Sequence, residues 1–441
     1  MSITALQGRK YLRWFLNRTF RALRHRNYRL WFVGQSISLI GTWMQAVAQQ
    51  VLVYRLTGSA AALGMVNFVA LIPLMPFSLW GGAVADRLPK RQVVLMAQVV
   101  MMVQAFVLAG LTWSGQVRIG HIYVLAFILG AANAVDMPAR QAMTVELVEG
   151  KEDLTNAIGL NSAMFNLARA VGPAVAGGLV ATVGEAVAFF INALTFLAVI
   201  ASLLAMRNLP YVYNGSIETR DGAYLWQGLR FALGQEIPRL LVALVALSAL
   251  LSMPYSTLMP VFAQDILLKS ARPVVAALCE GPLEVFSCRA PEALPLGLLL
   301  TAVGVGAVLA ALTVSSFSSR TQRGAWLTLG SLGFPATLIA FAFSRSFLLS
   351  LGLMFLVGWF FVLQNALANT LLQLHTPDAF RGRVMAVYTM TVQGMMRLGG
   401  LQAGLMADWL GAPLAIGLGA LVSLTFSALV AFRRPVLRSL G

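Results

Sequence analysis

The sequence contains few of the groups with which proteins carry out chemistry. Its 441 residues include two cysteines, three histidines and 16 acids, and only 11% of them are charged. The histidines, His25, His121 and His375, lie far apart and form no metal-binding or proton-relay pattern. The sequence also lacks a glycine-rich loop ending in Lys-Ser or Lys-Thr, which disfavours an ATP-driven machine built from this chain alone. We therefore expect no catalytic residues, no metal and no cofactor.

Apolar residues dominate what is present. They make up 59% of the chain, and its mean hydropathy is +0.78. About 20 apolar helical residues cross a hydrocarbon core about 30 Å thick. The sequence predicts an all-α membrane protein with twelve transmembrane helices, near residues 30–53, 60–84, 92–113, 120–138, 157–181, 184–206, 239–261, 295–317, 325–343, 347–373, 384–407 and 412–432.

The basic residues predict the orientation of these spans. Of the 32 Lys and Arg, 24 fall in the two tails and the connections on the same side as the tails. By the positive-inside bias, both termini are cytoplasmic. The net charge of +16 is thus spread over short loops, so nucleic acid is not an expected partner, whereas the lipid bilayer is. The basic N-terminal tail is either an amphipathic helix on the membrane surface or a solvated segment.

The chain divides into two similar halves. At a fixed offset of 228 residues, Gly130 matches Gly358, Arg169 matches Arg397 and Gly172 matches Gly400. The predicted units are a basic tail (1–29), a six-helix half (30–206), a central linker (207–238), a second six-helix half (239–432) with an insertion at 269–293, and a short tail (433–441). This plan resembles the two pseudo-symmetric halves of major facilitator transporters, whose substrate site lies between the halves near the midplane.

The loop "GAVADRLPKR", residues 82–91, is similar to the loop signature of that superfamily. The stretches "DMPARQAMTVELV", "NAIGLNSAMFNLARAVGPAVAGG" and "TPDAFRGRVMAVY" resemble its enterobactin-exporter-like, bacterial efflux branch. The resemblance implies a latch between Asp86 and the start of span eleven, and a pairing of Asp136 with Arg87 or Arg91. The gate residues it implies are Gly82, Asp86, Arg87, Arg91, Asp136 and Arg140.

A polar stripe on span one indicates where a substrate could bind. It comprises Gln35, Ser38, Thr42, Gln45 and Gln49, at spacings of three and four residues. The superfamily plan lines a central cavity with spans one, four, seven and ten, which adds Tyr255, Asn365 and Asn369, and span eleven adds Gln393. Trp43, Phe165 and Trp359 are candidate aromatic walls. The alternatives are helix-to-helix hydrogen bonds for the polar residues and ordinary packing for the aromatics.

Two arginines lie inside predicted spans. Arg169 follows Ala157 by 12 residues, which places it about 18 Å into a core of about 30 Å. Arg397 holds the matching place in span eleven. A charge at this depth costs about 2.5–3.5 kcal/mol on insertion scales. Either carbonyls and amides satisfy the two guanidinium groups structurally, or both groups face the cavity and attract an anionic substrate.

No acid lies at mid-membrane, so the usual carboxylate proton carrier is missing. If protons are the coupling ion, end residues such as Asp136, Asp408 or Glu185 must carry them, or the substrate must. The only cysteines, Cys279 and Cys288, lie in the insertion, which the topology places outside the cytoplasm. Because that compartment permits disulfides, we expect one there, against the alternative of two free thiols.

The sequence therefore predicts a monomeric secondary transporter of the bacterial inner membrane. We expect it to export a moderately large, amphipathic, neutral-to-anionic small molecule, such as a siderophore, by alternating access. A broad-specificity drug efflux pump is the alternative transporter. A membrane sensor or scaffold that transports nothing is the alternative of another class.

Overall fold

The computed structural model describes residues 19–74, 88–148, 150–207, 222–280, 288, 290–316, 323–434, 437–438 and 440, and this part of the chain is almost entirely helical. The N-terminal half contains α1 (Arg26–Thr57), α2 (Ala60–Leu71), α3 (Lys90–Trp113), α4 (Ile119–Glu146), α5 (Lys151–Val183) and α6 (Glu185–Ala205). The central linker contributes α7 (Gly222–Gly234). The C-terminal half contains α8 (Glu236–Leu251), α9 (Tyr255–Val261), α10 (Leu268–Cys279), α11 (Ala293–Ser316), α12 (Arg323–Phe343), α13 (Phe347–Leu374), α14 (Asp378–Leu410) and α15 (Ala412–Arg433).

Nine segments in the described part of the chain are long and apolar enough to cross a membrane. Eight of them lie in α3 to α6, α11 to α13 and α15, and the ninth, Glu236–Ile266, combines α8 and α9 with a π-helical turn. Predicted spans one and eleven correspond to α1 and α14, which are long but more polar. Predicted span two begins with α2 and continues into residues outside the described ranges. The total of twelve spans therefore stays a prediction.

Span seven is broken instead of continuous. The helix α8 ends at Leu251 and α9 begins at Tyr255, directly after Pro254. Proline has no backbone N–H, so the carbonyl of Leu250, four residues earlier, loses its helical donor. Gly399 of α14 lies against this carbonyl, where a Cβ atom would come within 2.1 Å of the oxygen. A glycine at this position allows α14 to pack closely against the break.

The two halves meet along two helix pairs, α5 with α11 and α2 with α14. A Cβ added to Gly177 on α5 would lie 2.9 Å from the Cα atom of Gly297 on α11. A Cβ added to Gly64 on α2 would lie 2.4 Å from the carbonyl oxygen of Gly400 on α14. Small residues let the helix backbones approach this closely, which is how helices associate in membranes.

We call the end of the bundle at which α1 begins the tail end, and the end at which α1 finishes the far end. The insertion lies at the far end, where it forms α10 and a disulfide between Cys279 and Cys288. The segment before α1 contacts the tail end of α5. There, Asp153 forms ion pairs with Arg21 at 2.7 Å and with Arg24 at 2.5 Å. The predicted amphipathic helix of the N-terminal tail falls mainly on residues outside the described ranges.

A candidate substrate cavity between the halves

Arg169 lies on α5 where the two halves face each other. Its guanidinium carbon is 5.4 Å from the centre of the Phe361 ring, which belongs to α13 of the other half. An aromatic face attracts a cation at this distance, more strongly when water is excluded. The Nε and Nη2 atoms of Arg169 are buried and have no hydrogen-bond partner among the described residues. A buried, charged donor without an acceptor costs about 1–3 kcal/mol or more, so this guanidinium favours an additional anionic or oxygen-rich partner.

Arg397 occupies a different environment, although it matches Arg169 in the internal repeat. Its Nη1 atom donates a hydrogen bond of 2.9 Å to the carbonyl oxygen of Ala70. Ala70 lies in the last turn of α2, which ends at Leu71, and carbonyls in a last turn lack their usual helical donors. Arg397 therefore has a structural partner across the halves, and the two arginines are not equivalent.

The polar stripe on α1 does not all line a cavity. Gln45 is 4% exposed, donates to the side chain of Gln104 at 3.1 Å and accepts from Asn192 at 2.6 Å. These partners lie on α3 and α6 of the same half, so the prediction for Gln45 is corrected in favour of helix-to-helix hydrogen bonding. Gln35 and Ser38 are also buried and do not line an open cavity.

The other two residues of the stripe are less enclosed. Thr42 is exposed and donates within its own helix to the carbonyl of Ser38 at 2.9 Å, and Gln49 is half-buried. The period of a helix predicts that residues share a face, but it cannot show which neighbour that face meets. The cavity hypothesis therefore keeps only Thr42 and Gln49 on this helix.

The α13 helix carries a half-buried polar row that begins one helical turn after Phe361, the residue that contacts Arg169. Asn365 donates to the carbonyl of Phe361 at 2.9 Å, and Asn369 accepts from Gln373 at 2.6 Å. Both contacts stay within the helix, so these amides keep unused hydrogen-bonding capacity. Gln393 on α14 is likewise half-buried. The sequence did not single out Phe361, which precedes Asn365 by one helical turn and could have been found by extending that row.

The predicted aromatic walls divide into two groups. Trp43 and Phe165 contact each other edge to face, with ring centres 5.8 Å apart, and Phe165 is 46% exposed. Trp359 donates to Thr313 at 3.3 Å, and the buried Tyr255 lies 6.2 Å from Phe334, both within the C-terminal half. Trp43 and Phe165 thus fit a cavity wall better than Trp359 does, whereas the buried Tyr255 lies close enough to Arg169 of the other half to interact with it electrostatically.

Three of the six residues expected to form the gate lie outside the described part of the chain. They are Gly82, Asp86 and Arg87.

Asp136, another expected gate residue, is fully buried. It pairs with Arg140, one helical turn later, and it also accepts a hydrogen bond of 3.1 Å from the side chain of Gln98. Arg91 instead donates to the carbonyl of Leu204 at 3.1 Å, so the expected pairing of Asp136 with Arg91 is wrong. The guanidinium of Arg140 also lies 6.0 Å from the ring of Trp31.

The acids considered for proton coupling have structural partners as well. Glu185 is buried and pairs with Arg55 at 3.2 Å within the N-terminal half. Asp408 binds the N-terminus of α2, accepting a hydrogen bond of 2.6 Å from the hydroxyl of Ser59.

Comparison with known proteins places this architecture among transporters. A family model described as "Transmembrane secretion effector", of the major facilitator class, matches residues 17–439. The staphyloferrin A transporter of Staphylococcus aureus is 25% identical over 386 residues, which cover 86% of this chain and 89% of the relative. The enterobactin exporter EntS of Shigella boydii is 25% identical over 415 residues, which cover 94% of this chain and 90% of the relative.

Solved structures show the same fold at lower identity. A POT family transporter in complex with 5-aminolevulinic acid has a TM-score of 0.71 and 12% identity, covering 93% of this chain and 96% of that one. A bacterial homologue of the human lysosomal transporter Spinster, in an inward-facing and occupied conformation, has a TM-score of 0.65 and 13% identity. The match covers 94% of this chain and 98% of that one.

Proposed function

The chain belongs to the transmembrane secretion effector family of the major facilitator superfamily, and from this premise we propose that it exports a siderophore-like small molecule. Membership makes it a multi-pass membrane transporter of a small molecule, not an enzyme. The proposed substrate is moderately large, amphipathic and neutral to anionic. The relatives named for staphyloferrin A and enterobactin support this class.

The observation that carries the proposal is the environment of Arg169. Two of its nitrogen atoms are buried without an acceptor among the described residues, beside the Phe361 ring of the opposite half. A guanidinium presents a planar pair of donors, which suits a carboxylate or another pair of neighbouring oxygen atoms. The exposed ring of Phe165 and the half-buried amides of α13 would contact the remaining apolar and polar parts of the substrate.

We further propose that the tail end is cytoplasmic and that the protein lies in the bacterial inner membrane. The excess of Lys and Arg on that side supports this orientation. Among the described residues, α2 and α14 contact each other from mid-bundle to the far end, so the two halves are joined there. Export then requires the halves to separate at the far end and close at the tail end. The protein is proposed to work as a monomer, with protons as the candidate coupling ion.

The test is a flux assay in inside-out vesicles that contain only this protein. Uptake is measured for staphyloferrin A, for enterobactin and for the lipophilic cation tetraphenylphosphonium, each with and without an imposed proton gradient. A positively charged site should repel the cation. The proposal expects protein-dependent uptake of at least one siderophore and none of the cation.

Other outcomes point to the alternatives. Uptake of the cation alone would overturn the proposed substrate class in favour of a drug pump. Absence of uptake for all three compounds, in vesicles with correctly folded protein, would also contradict the proposal. Uptake of a siderophore that does not respond to the proton gradient would retain the substrate class and reject proton coupling.

A further inference from the structure

The carboxylate of Asp408 joins the two halves at the far end. It lies near the end of α14, in the C-terminal half, and binds the first residues of α2, in the N-terminal half. It accepts hydrogen bonds from the Ser59 hydroxyl at 2.6 Å, the Ala60 amide at 2.7 Å and the Ala61 amide at 3.2 Å. Backbone amides at a helix N-terminus lack helical acceptors and carry partial positive charge, so an anionic side chain stabilises this contact.

This contact is the last in a row along one face of α14. Arg397, Gly400, Gly404 and Asp408 are spaced three or four residues apart, and each lies against α2. A Cβ at Gly404 would come within 2.5 Å of the Ala60 carbonyl oxygen. The row thus runs from mid-bundle to the far end, and Asp408 supplies its charged terminal contact.

A second acid, Asp265, also joins the two halves at the far end. The hydroxyl of Tyr54, near the end of α1, donates a hydrogen bond to the carboxylate of Asp265 in the π-helical turn after α9. This contact also joins the N-terminal half to the C-terminal half. Two separate acids of one half therefore hold neighbouring segments of the other half.

We propose that Asp408 is a positioning residue of the transport cycle that holds the far end closed, with Tyr54 and Asp265 as its second contact. Opening the far end moves α2 away from α14 and breaks these hydrogen bonds. The arrangement mirrors the one expected from the sequence at the tail end, where Asp86 would bind the start of α14. The two latches cannot both be closed if the halves rock, so each favours one state. This inference rests on the proposed alternating access but not on the identity of the substrate.

The test measures the separation of the halves directly. Spin labels are attached at Gln116→Cys and Arg345→Cys, two exposed positions in far-end connections of opposite halves. The native cysteines are joined to each other in the structure and do not compete for the label. Electron-electron double resonance is recorded without substrate for the otherwise unchanged protein, Asp408→Ala, Asp408→Asn and Tyr54→Phe. The matched control is Glu236→Gln, which removes an exposed ion pair of 2.8 Å with Arg434 inside one half.

We expect Asp408→Ala to raise the ratio of long to short label distances about fivefold, the size of effect typical of an acid at a helix N-terminus. Asp408→Asn should give a smaller increase, because its amide oxygen still accepts hydrogen bonds, and Tyr54→Phe should act in the same direction. Glu236→Gln should leave the distances unchanged. Distances in folded Asp408→Ala that match those of the unchanged protein would overturn the inference.

If Asp408→Ala fails to fold, Asp408→Asn and Tyr54→Phe decide the question, and unchanged distances in both would overturn it. Far-end opening in the variants combined with no uptake of either siderophore would refute the proposed substrate while supporting the role of Asp408. The two proposals can therefore fail separately.

Discussion

The guanidinium of Arg397 donates a hydrogen bond of 2.9 Å to the backbone carbonyl of Ala70, and this contact joins the two halves of the protein. Arg169, its counterpart in the internal repeat, has two buried nitrogen atoms without a hydrogen-bond partner among the described residues. The repeat thus places two arginines at equivalent positions in different hydrogen-bonding environments. Arg397 contacts α2 through this hydrogen bond, whereas we propose that Arg169 binds the substrate.

Replacement of Arg397 should affect stability more than substrate recognition. Arg397→Gln removes a charged hydrogen bond to a helix-end carbonyl, which is typically worth about 1.5–3 kcal/mol. We expect a lower thermal unfolding midpoint of the purified protein, with transport of the surviving folded fraction preserved. Unfolding is followed by tryptophan fluorescence in detergent. A midpoint equal to that of the unchanged protein would remove the structural role assigned to this arginine.

The glycine contact between α5 and α11 gives a second prediction. Gly177→Ala places a Cβ atom 2.9 Å from the Cα atom of Gly297, so the two helices must move apart. We expect a lower unfolding midpoint. Gly159→Ala on the same helix is the matched control, because a Cβ there meets no atom within 4 Å. It should be neutral or stabilising by up to about 1 kcal/mol. Equal behaviour of the two variants would contradict the close packing.

The buried pair of Asp136 and Arg140 should behave as a coupled unit. Asp136→Asn leaves the Arg140 cation partly buried without its acid, and breaking such a pair costs about 3–5 kcal/mol when it is fully buried. The double variant Asp136→Asn with Arg140→Gln should recover part of that loss. A double-mutant cycle on chemical unfolding measures the coupling. Strictly additive losses would show that the two side chains act independently.

The two cysteines should resist labelling in the oxidised protein. The disulfide joins residues nine positions apart. Closing a loop of about this length stabilises the folded insertion by roughly 2–3 kcal/mol on the loop-entropy model. Alkylation without reductant, followed by mass spectrometry, should leave Cys279 and Cys288 unmodified. Recovery of both as alkylated residues would mean that the native protein carries two thiols.

Much of the fold can be predicted from the sequence, because the thickness of the bilayer sets the length of the apolar runs and the positive-inside bias sets the charge of the loops. The internal repeat likewise located Arg169 and Arg397. The sequence could not show that the Ala70 carbonyl meets Arg397, since that contact joins residues 327 positions apart. It also could not assign Gln45, because a polar stripe fits a cavity and a network with Asn192 equally well.

Arg169 is proposed to recognise an anionic or oxygen-rich substrate. The direct test is the concentration dependence of vesicle uptake for a siderophore that the flux assay shows to be transported. Arg169→Gln, Arg169→Lys and Arg397→Gln are compared at matched levels of folded protein. A charged hydrogen bond worth about 1.5–3 kcal/mol corresponds to a change of roughly 10- to 100-fold in affinity.

We predict that Arg169→Gln raises the apparent KM about tenfold or more. Arg169→Lys should recover only part of this change, because an ammonium group cannot reproduce the planar pair of donors. Arg397→Gln should change the KM by less than about threefold, since its guanidinium already has a partner in the protein. An unchanged KM in folded Arg169→Gln, or an equal rise in Arg397→Gln, would show that Arg169 is not the residue that recognises the substrate.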